Sequence, residues 1–600
     1  MGCGASSDAP EGWPSGIPVD RSEYEDWGQT QSVGHLWIAK PKKPEDVVTI
    51  ANWAAKMDPK KRGEIRPAGT KWSWSPCVFA QGTANPNERD LMLDMTGYAN
   101  VYNVDKEKLE VTVAPGITIK ALLEELDKFN LTLGSYTGSG AMSIGGCIAV
   151  GAKGVLVKSA DESKNAPGSV YGSMTNFVLK YTLVVSTDGG KTYAEKEFVR
   201  GADPEADLLL AGIGRTLMTR VTLKVMPQYN VRAKCFFDVP ASVIFAPGNP
   251  EGNPANSYAD LVANRCRVSS IWIPFTDVAW TRTWELCAEK PETSRFVDSP
   301  YNYPYQDQAQ AWQTPVIEAM LGQPHETFLE KMAKAVERPF TDGAPGILSD
   351  AAEDIAKASQ MIKEDVGLAK AQSRLTVYYD EMQAATLPKL NKAHECEDLW
   401  GKSHNTNLFV NADLKIRSMA VSCVCKSSNM QRNINVTWTI MRDMINEHRE
   451  KGEFPMNGQI EWRAMGLDEG KYVGLEHSSP ALTSGSIDKA TLERTGWDVM
   501  FVIEVVHFPK TKGFEAFAKA FLDACNARPE LSGDEGLIRP EWSKPFAPSA
   551  GPDGKFWADE KAMADIRAQF PQWKEAVAAM KKYDPAGLYE TKFNSWVLGA

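Results

Sequence analysis

The chain has little histidine, seven residues in 600. His394, Cys396 and His404 do not fall at a zinc-ligand spacing, so no metal centre is expected. Its ten cysteines are scattered. The close pair, Cys423 and Cys425, forms a C-x-C whose side chains would face one side of a strand. That pattern argues against a disulfide framework and for a reducing, cytoplasmic compartment. There is no Lys/Arg block of the kind that tracks phosphates, and 77 acidic against 66 basic residues give a net charge of −11. Nucleic acid is therefore not an expected partner. No apolar run is long enough to span a bilayer, and the opening MGCGASSDAP lacks the hydrophobic core of a secretory signal. Internal repeats and low-complexity tracts are also missing.

What is present is ordinary globular material, 43% hydrophobic and 24% charged, in a chain too long for one core. Gly2 and Ser6 match the pattern for N-myristoylation, and Cys3 beside Gly2 offers a second acylation point. Peripheral tethering to the cytoplasmic face of a membrane is the expectation there, and a flexible polar tail is the alternative.

Local patterns predict an α+β protein. Val47, Ile50, Ala51 and Ala54 mark a helix over 44–57, and Ile119, Leu122, Leu123, Leu126 and Phe129 mark another over 117–130. A buried strand is expected over 177–186, ended by an Asp188-Gly189-Gly190 turn, and another over 221–226. Helical patterns follow at 314–335, 350–370 and 436–450, and again within WKEAVAAMKKYDPAGLY. Two Gly-rich turns stand out: RPAGTKWSWSP, from Arg66 to Pro76, and TGSGAMSIGGCIAVGAKG, from Thr137 to Gly154. Glycines at such turns let backbone amides approach a diphosphate closely. Neither turn carries G-x-G-x-x-G at a strand–helix junction nor G-x-x-x-x-G-K-[ST], which disfavours a Rossmann fold and a P-loop.

The order PEDV, ANWA, RPAGTKWSWSP, APGIT, SIGGCIAVGAKG, YGSMTNFVL and GIGRTL resembles the FAD-binding domain of the vanillyl-alcohol oxidase family. Beyond it, IWIPF, TSRFVDSPYNYPY, LWGKS, FPMNGQIEWRAMGLDE, RPEWSK and YDPA are similar to the flavin-dependent cholesterol oxidases of the second type. The resemblance implies a two-part FAD-binding domain of that type over 16–230, after a flexible segment at 1–15. It implies a larger α+β substrate-binding domain over 231–545 and a C-terminal segment, 546–600, returning to the FAD domain. It also implies that Pro67, Ala68, Gly69, Thr70, Lys71, Trp72 and Ser73 wrap the FAD diphosphate. Gly138, Ser139, Ser143, Ile144, Gly145, Gly146, Ala149 and Gly154 would cover its other side, with Ile213 close by. Trp72 stands where that family commonly bonds a histidine to the flavin, and indole has no nucleophilic ring nitrogen, so non-covalent FAD is expected. Lys71 and Lys153 would pair with phosphates or lie solvated at the surface.

The same resemblance sets the chemistry. Ser269 stands where the sterol oxidases carry an active-site carboxylate. Glu461 and Arg463, two apart on a strand, face one side and can pair beside the flavin. Lys544 matches a flavin-facing lysine that would stabilise the reduced ring. Glu504 lies in the apolar run VMFVIEVVHF, and burial would raise its pKa and suit it to proton transfer in place of the missing acid. Trp272, Phe275, Trp284, Tyr301, Tyr303 and Tyr305 are candidates for an apolar pocket wall. The function so implied is FAD-dependent oxidation of an alcohol on a bulky, largely apolar, sterol-like substrate by molecular oxygen. The alternatives are an FAD-dependent dehydrogenase or oxidase of a polyol or sugar lactone, and a flavin-binding protein without turnover.

Overall fold

The structure, a computed structural model, describes residues 9–58, 62–79, 90–157, 171–249, 252–304, 368–409, 416–509, 511–546 and 559–599. Gly2, Cys3, Tyr305, the helical pattern at 314–335 and most of that at 350–370 lie outside these residues.

Among the described residues, three large sheets and one two-stranded pair organise the fold. In the first, β1 (Val19–Glu25) and β2 (Ser32–Ala39) form an antiparallel pair, and β3 (Ile65–Ala68) and β4 (Leu91–Asp94) add in the order β1-β2-β4-β3. The helix Pro44–Ala55 joins β2 to β3. Pro44 needs no amide donor at the first turn, and Glu45 and Asp46 complement the helix dipole there. Val47, Ile50, Ala51 and Ala54 are buried, as their spacing predicts.

The second sheet draws on β5 (Val101–Asp105), β6 (Glu110–Val113), β8 (Val178–Ser186), β9 (Tyr193–Val199) and β10 (Met218–Lys224), in the order β5-β6-β10-β8-β9. A short pair, β7 (Leu131–Thr132) with β11 (Met226–Pro227), lies beside it. The β8–β9 hairpin turns where Asp188 accepts from the amides of Lys191 and Thr192 at 3.0 and 2.6 Å. The helix Ile119–Asp127 starts at Thr118, whose hydroxyl accepts from the Ala121 amide, and buries Ile119, Leu122, Leu123 and Leu126.

The third sheet has nine strands: β12 (Asn230–Phe236), β13 (Arg267–Ile273), β14 (Val278–Leu286), β15 (Arg295–Val297), β16 (Asp398–Lys402), β17 (Arg417–Cys425), β18 (Ile460–Gly466), β19 (Val499–His507) and β20 (Leu537–Pro540). They lie in the order β15-β16-β12-β14-β13-β18-β19-β17-β20. One face is largely apolar: Val268, Trp272, Val421, Cys423, Ile460, Trp462, Phe501 and Ile503 pack with residues of the helices Tyr258–Arg265, Met430–Glu450 and Phe514–Asn526, and the Ser270 and Thr281 hydroxyls among them bond to each other. Because side chains alternate along a strand, the intervening residues share the opposite face. The register brings Ser269 opposite Arg463, Arg463 opposite Val502, and Glu461 opposite Glu504. At one end that face meets the lobe that contains the first two sheets, where the Gly466 amide bonds to the Leu156 carbonyl at 2.9 Å. At the other end the helix Leu368–Ala393 crosses it, with Gln459 bonded to Gln383 at 2.8 Å.

The end of the described chain packs back onto the first two sheets. The helices Glu560–Ala568, Trp573–Tyr583 and Lys592–Leu598 contribute Met563, Trp573, Ala576, Phe593 and Val597 to the core that holds Ile119, Leu122 and Phe177. Asp584 ties the junction. It is ion-paired with Arg215, accepts from the Tyr193 hydroxyl at 2.6 Å, and accepts from the amides of Leu588 and Tyr589 at 2.8 and 2.9 Å. Both ion-pair partners are buried, so removing one strands the other's charge. Asp584→Ala is expected to destabilise the protein by about 3–5 kcal/mol, with Asp584→Asn intermediate. An unchanged denaturation midpoint for Asp584→Ala would show that the junction does not depend on this pair.

Candidate active site

A cleft of about 1190 Å³, its open mouth included, runs between the two Gly-rich turns. Its walls include Pro67–Trp74 on one side, Ser143 and Gly145–Val150 on another, and Leu209–Gly212 on a third. A side chain at Gly69 would collide with the Ser143 hydroxyl, which shows how closely the walls approach. Among the described residues, the amides of Gly69, Thr70, Lys71, Trp72 and Ser73 donate to no protein acceptor. Consecutive free amides on a cleft wall suit an anionic diphosphate, so the residues fit FAD.

Arg66 is buried in the same wall. It donates to the carbonyls of Cys77, Ile213, Gly214 and Tyr589, joining three distant segments. The tryptophans of the first turn are fixed by contacts outside it. Trp72 stacks on Trp27 with ring centres 3.9 Å apart, and the Trp74 indole donates to the Ile416 carbonyl at 2.9 Å. The amides of Trp74 and Ser75 both donate to the Ser543 carbonyl, at 2.8 and 3.1 Å. This docks RPEWSK onto the turn and sets the Lys544 ammonium 3.7 Å from the Trp74 ring centre, at the cleft wall.

Lys544 also leads into the nine-stranded sheet. It pairs with Glu504, Glu504 with Arg463, and Arg463 with Glu461 at 3.1 Å. The Ser418 hydroxyl donates to Glu504 at 2.9 Å, and Ser269 donates to Glu461. Arg282 stands 3.6 Å from Glu461, over the rings of Trp280, Trp284 and Tyr303. Burial pushes the Glu504 carboxyl up, but Lys544 and Arg463 outweigh it and hold the group down to about 2. Its contribution to stability is thus present above the ordinary carboxylate range and lost only as pH falls toward 2. Burial lowers the Lys544 ammonium from its ordinary value, opposed by Glu504. Arg463 is raised, because Glu461, Glu504 and Glu541 outweigh its burial.

The four catalytic candidates, Glu461, Arg463, Lys544 and Glu504, are therefore contiguous, but Glu504 differs from expectation. Its pKa is depressed because both oxygens face cations, a pairing across strands that the run VMFVIEVVHF could not reveal. Of the cofactor candidates, Pro67 to Ser73, Ser143, Gly145, Gly146 and Ala149 line the cleft. Gly138, Ser139, Ile144, Gly154 and Ile213 do not. Gly138 packs against Phe409, and Ser139 bridges to it. Ile144 is core, Gly154 abuts the Tyr136 carbonyl, and Ile213 offers its carbonyl to Arg66. Lys153 neither lies solvated nor faces the cleft: it is buried and bonded to both oxygens of Glu541 at 2.6 and 2.7 Å. Trp272 belongs to the opposite, apolar face of the sheet, and Phe275 packs against that core. Arg66, Pro115, Leu209–Gly212 and Ser543 were missed. GIGRTL was the available signal for the third wall.

Two family models match the chain: an FAD binding domain over residues 36–190, and "Cholesterol oxidase, substrate-binding" over 230–329 and 324–599. Among solved structures, a solvent-stable cholesterol oxidase is 27% identical with a TM-score of 0.83, covering 99% of this chain and 100% of that one. Cholesterol oxidase from B. sterolicum is 26% identical with a TM-score of 0.80, covering 98% and 99%. Mitochondrial L-galactono-1,4-lactone dehydrogenases are more distant. That of Arabidopsis thaliana is 25% identical over 265 residues, and that of Brassica oleracea 28% over 265. Each match takes in 44% of this chain but only 37% of the relative's length. The substrate-binding model covers more than half of the residues, so the chain belongs to the family of FAD-dependent oxidoreductases built with the cholesterol oxidase substrate-binding domain.

Proposed function

We propose that the protein oxidises an alcohol group on a bulky, largely apolar, sterol-like molecule and passes the electrons to oxygen. The observation that carries this reading is the continuity of the site. The cleft that fits FAD meets Lys544, and Lys544 is the first member of the ion-pair chain on the substrate-domain sheet. Bound FAD would supply the acceptor for the carbinol hydrogen.

The chain's own residues do the rest. The amides of Gly69 to Ser73 would hold the diphosphate, and Lys544 would set a fixed positive charge at the far end of the cleft. Glu461, oriented by Ser269 and Arg463, is the carboxylate that would take the substrate hydroxyl proton. Glu504 is committed to Lys544 and Arg463 and serves to place them. Arg463, always charged, would stabilise negative charge building on oxygen as it accepts electrons.

The match to the lactone dehydrogenases supports a second reading, oxidation of a sugar lactone with another electron acceptor. Reconstituted yellow protein separates the two. Anaerobic cholesterol is expected to bleach it, and air to restore the colour. Bleaching by L-galactono-1,4-lactone alone, without recovery in air, would favour the second reading, and no bleaching by any alcohol would favour binding without turnover. Because Trp72 has no nucleophilic ring nitrogen to bond the flavin, the colour should leave with the supernatant on acid precipitation. Colour kept in the pellet would mean that a residue such as Cys77 or Cys147 carries a bond to the flavin.

Arg463→Ala should still bind FAD, whose diphosphate site lies in the other lobe, but reoxidation of reduced enzyme by oxygen should slow by about one to three orders of magnitude. Stopped-flow mixing measures this directly. Unchanged reoxidation in a folded, FAD-loaded variant would remove Arg463 from the oxygen step.

A further inference from the structure

The helix Leu368–Ala393, which crosses the charged face of the nine-stranded sheet, turns an unusual side inward. Thr376, Asp380, Gln383, Leu387 and Asn391 follow one another at spacings of three and four, so they share one helical face. All five are buried, and four are polar. A helix laid on a sheet normally presents an apolar stripe. Here Gln383 is bonded to Gln459, two residues before Glu461, and Asn391 donates to the Cys235 carbonyl at 2.8 Å. Cys235 lies opposite Arg282 in the β12–β14 register, on the face that carries the charged cluster. Tyr379 meets Phe508, four residues after Glu504, with ring centres 5.6 Å apart. The helix therefore roofs the same face that the cleft meets at its other end.

Asp380 differs from its neighbours on that stripe. It is fully buried, and among the described residues neither carboxyl oxygen has a hydrogen-bond partner. Leaving such a group unsatisfied is costly, so it calls for a partner such as a water, an ion or a ligand, or for a functional role. Burial holds its carboxyl well above the ordinary range, and the adjacent Glu381 adds to the shift. Its helix neighbours Tyr379 and Gln383 meet Phe508, four residues beyond Glu504, and Gln459, two before Glu461, so Asp380 lies toward the end of the face away from the cleft. A neutral carboxyl offers one donor and an acceptor, which matches a hydroxyl or ketone oxygen.

We propose that Asp380 is a substrate-binding residue that pairs with a second oxygen function, a hydroxyl or ketone, carried by the substrate away from the alcohol that is oxidised. The inference rests on the sterol-like reading above and narrows it to a molecule with polar groups at two separate places. Substrate selection then depends on Asp380, which takes no part in the chemistry.

The test uses FAD-loaded protein and two probes, androst-5-en-3β-ol and androst-5-ene-3β,17β-diol, which differ by one hydroxyl at the far end of the ring system. Binding is read from perturbation of the flavin spectrum under anaerobic conditions. The intact protein should bind the diol about tenfold more tightly than the monoalcohol, the ratio expected for one added hydrogen bond to a buried group. Asp380→Leu should lose that preference while holding the monoalcohol within about twofold. Asp380→Asn should keep it, because an amide also donates and accepts. The melting temperature of Asp380→Leu without ligand should equal or exceed that of the parent, since an unsatisfied carboxyl has been removed. No preference in the parent, a preference surviving in Asp380→Leu, or a lowered melting temperature in Asp380→Leu would each overturn the proposal. If neither steroid perturbs the flavin, the sterol-like reading falls and takes this inference with it.

Discussion

The site depends on a buried chain of ion pairs that runs from Lys544 through Glu504 and Arg463 to Glu461. Each inner member is shared by two partners, so none can move without exposing another's charge. Truncating one partner of such a buried pair typically costs about 3–5 kcal/mol, a large fraction of the roughly 5–15 kcal/mol that holds a domain folded. A well-packed apolar cluster would often stabilise as much. The chain is therefore better understood through what it holds in place: an ammonium at the cleft wall and a carboxylate and guanidinium beside it on one sheet face.

Strand register makes the chain possible. Glu461 and Glu504 would repel if simply placed opposite each other. Arg463, one step along the same face, and Lys544, arriving from the loop after β20, separate them. That loop is positioned by the Ser543 carbonyl, which accepts from Trp74 and Ser75 of the glycine turn. A second buried bridge, Lys153 to Glu541, with Ser422 and Ser484 on the same carboxylate, joins the two lobes nearby. The two lobes thus share two buried ion-pair groups at the place where cofactor and substrate would meet.

Much of this was legible in the sequence, and the parts that were not share a cause. Helices with clear three-to-four spacing, such as Pro44–Ala55 and Ile119–Asp127, and the hairpin at Asp188, depend on local contacts and could be read directly. The first glycine turn was readable as a cleft wall because its function is local too. What failed was non-local. Lys153 read as a phosphate partner or a solvated lysine because Glu541 lies hundreds of residues away. Trp272 looked like a pocket wall because the sequence does not say which face of a strand is covered by helices. Glu504 looked like a buried acid with a raised pKa because the two cations that lower it come from another strand and a distant loop. Asp380 drew no notice at all, since its distinguishing feature is a missing partner.

The most direct test of the account is the reduction potential of FAD bound to Lys544→Met, compared with the parent. If the ammonium on the Trp74 ring lies against the redox-active end of the cofactor, removing it should make the two-electron potential more negative by about 30 mV or more, the equivalent of at least about 1.4 kcal/mol. An unchanged potential in a folded, FAD-loaded variant would contradict the account, placing the flavin ring away from Lys544 and leaving the ion-pair chain without a role in the chemistry.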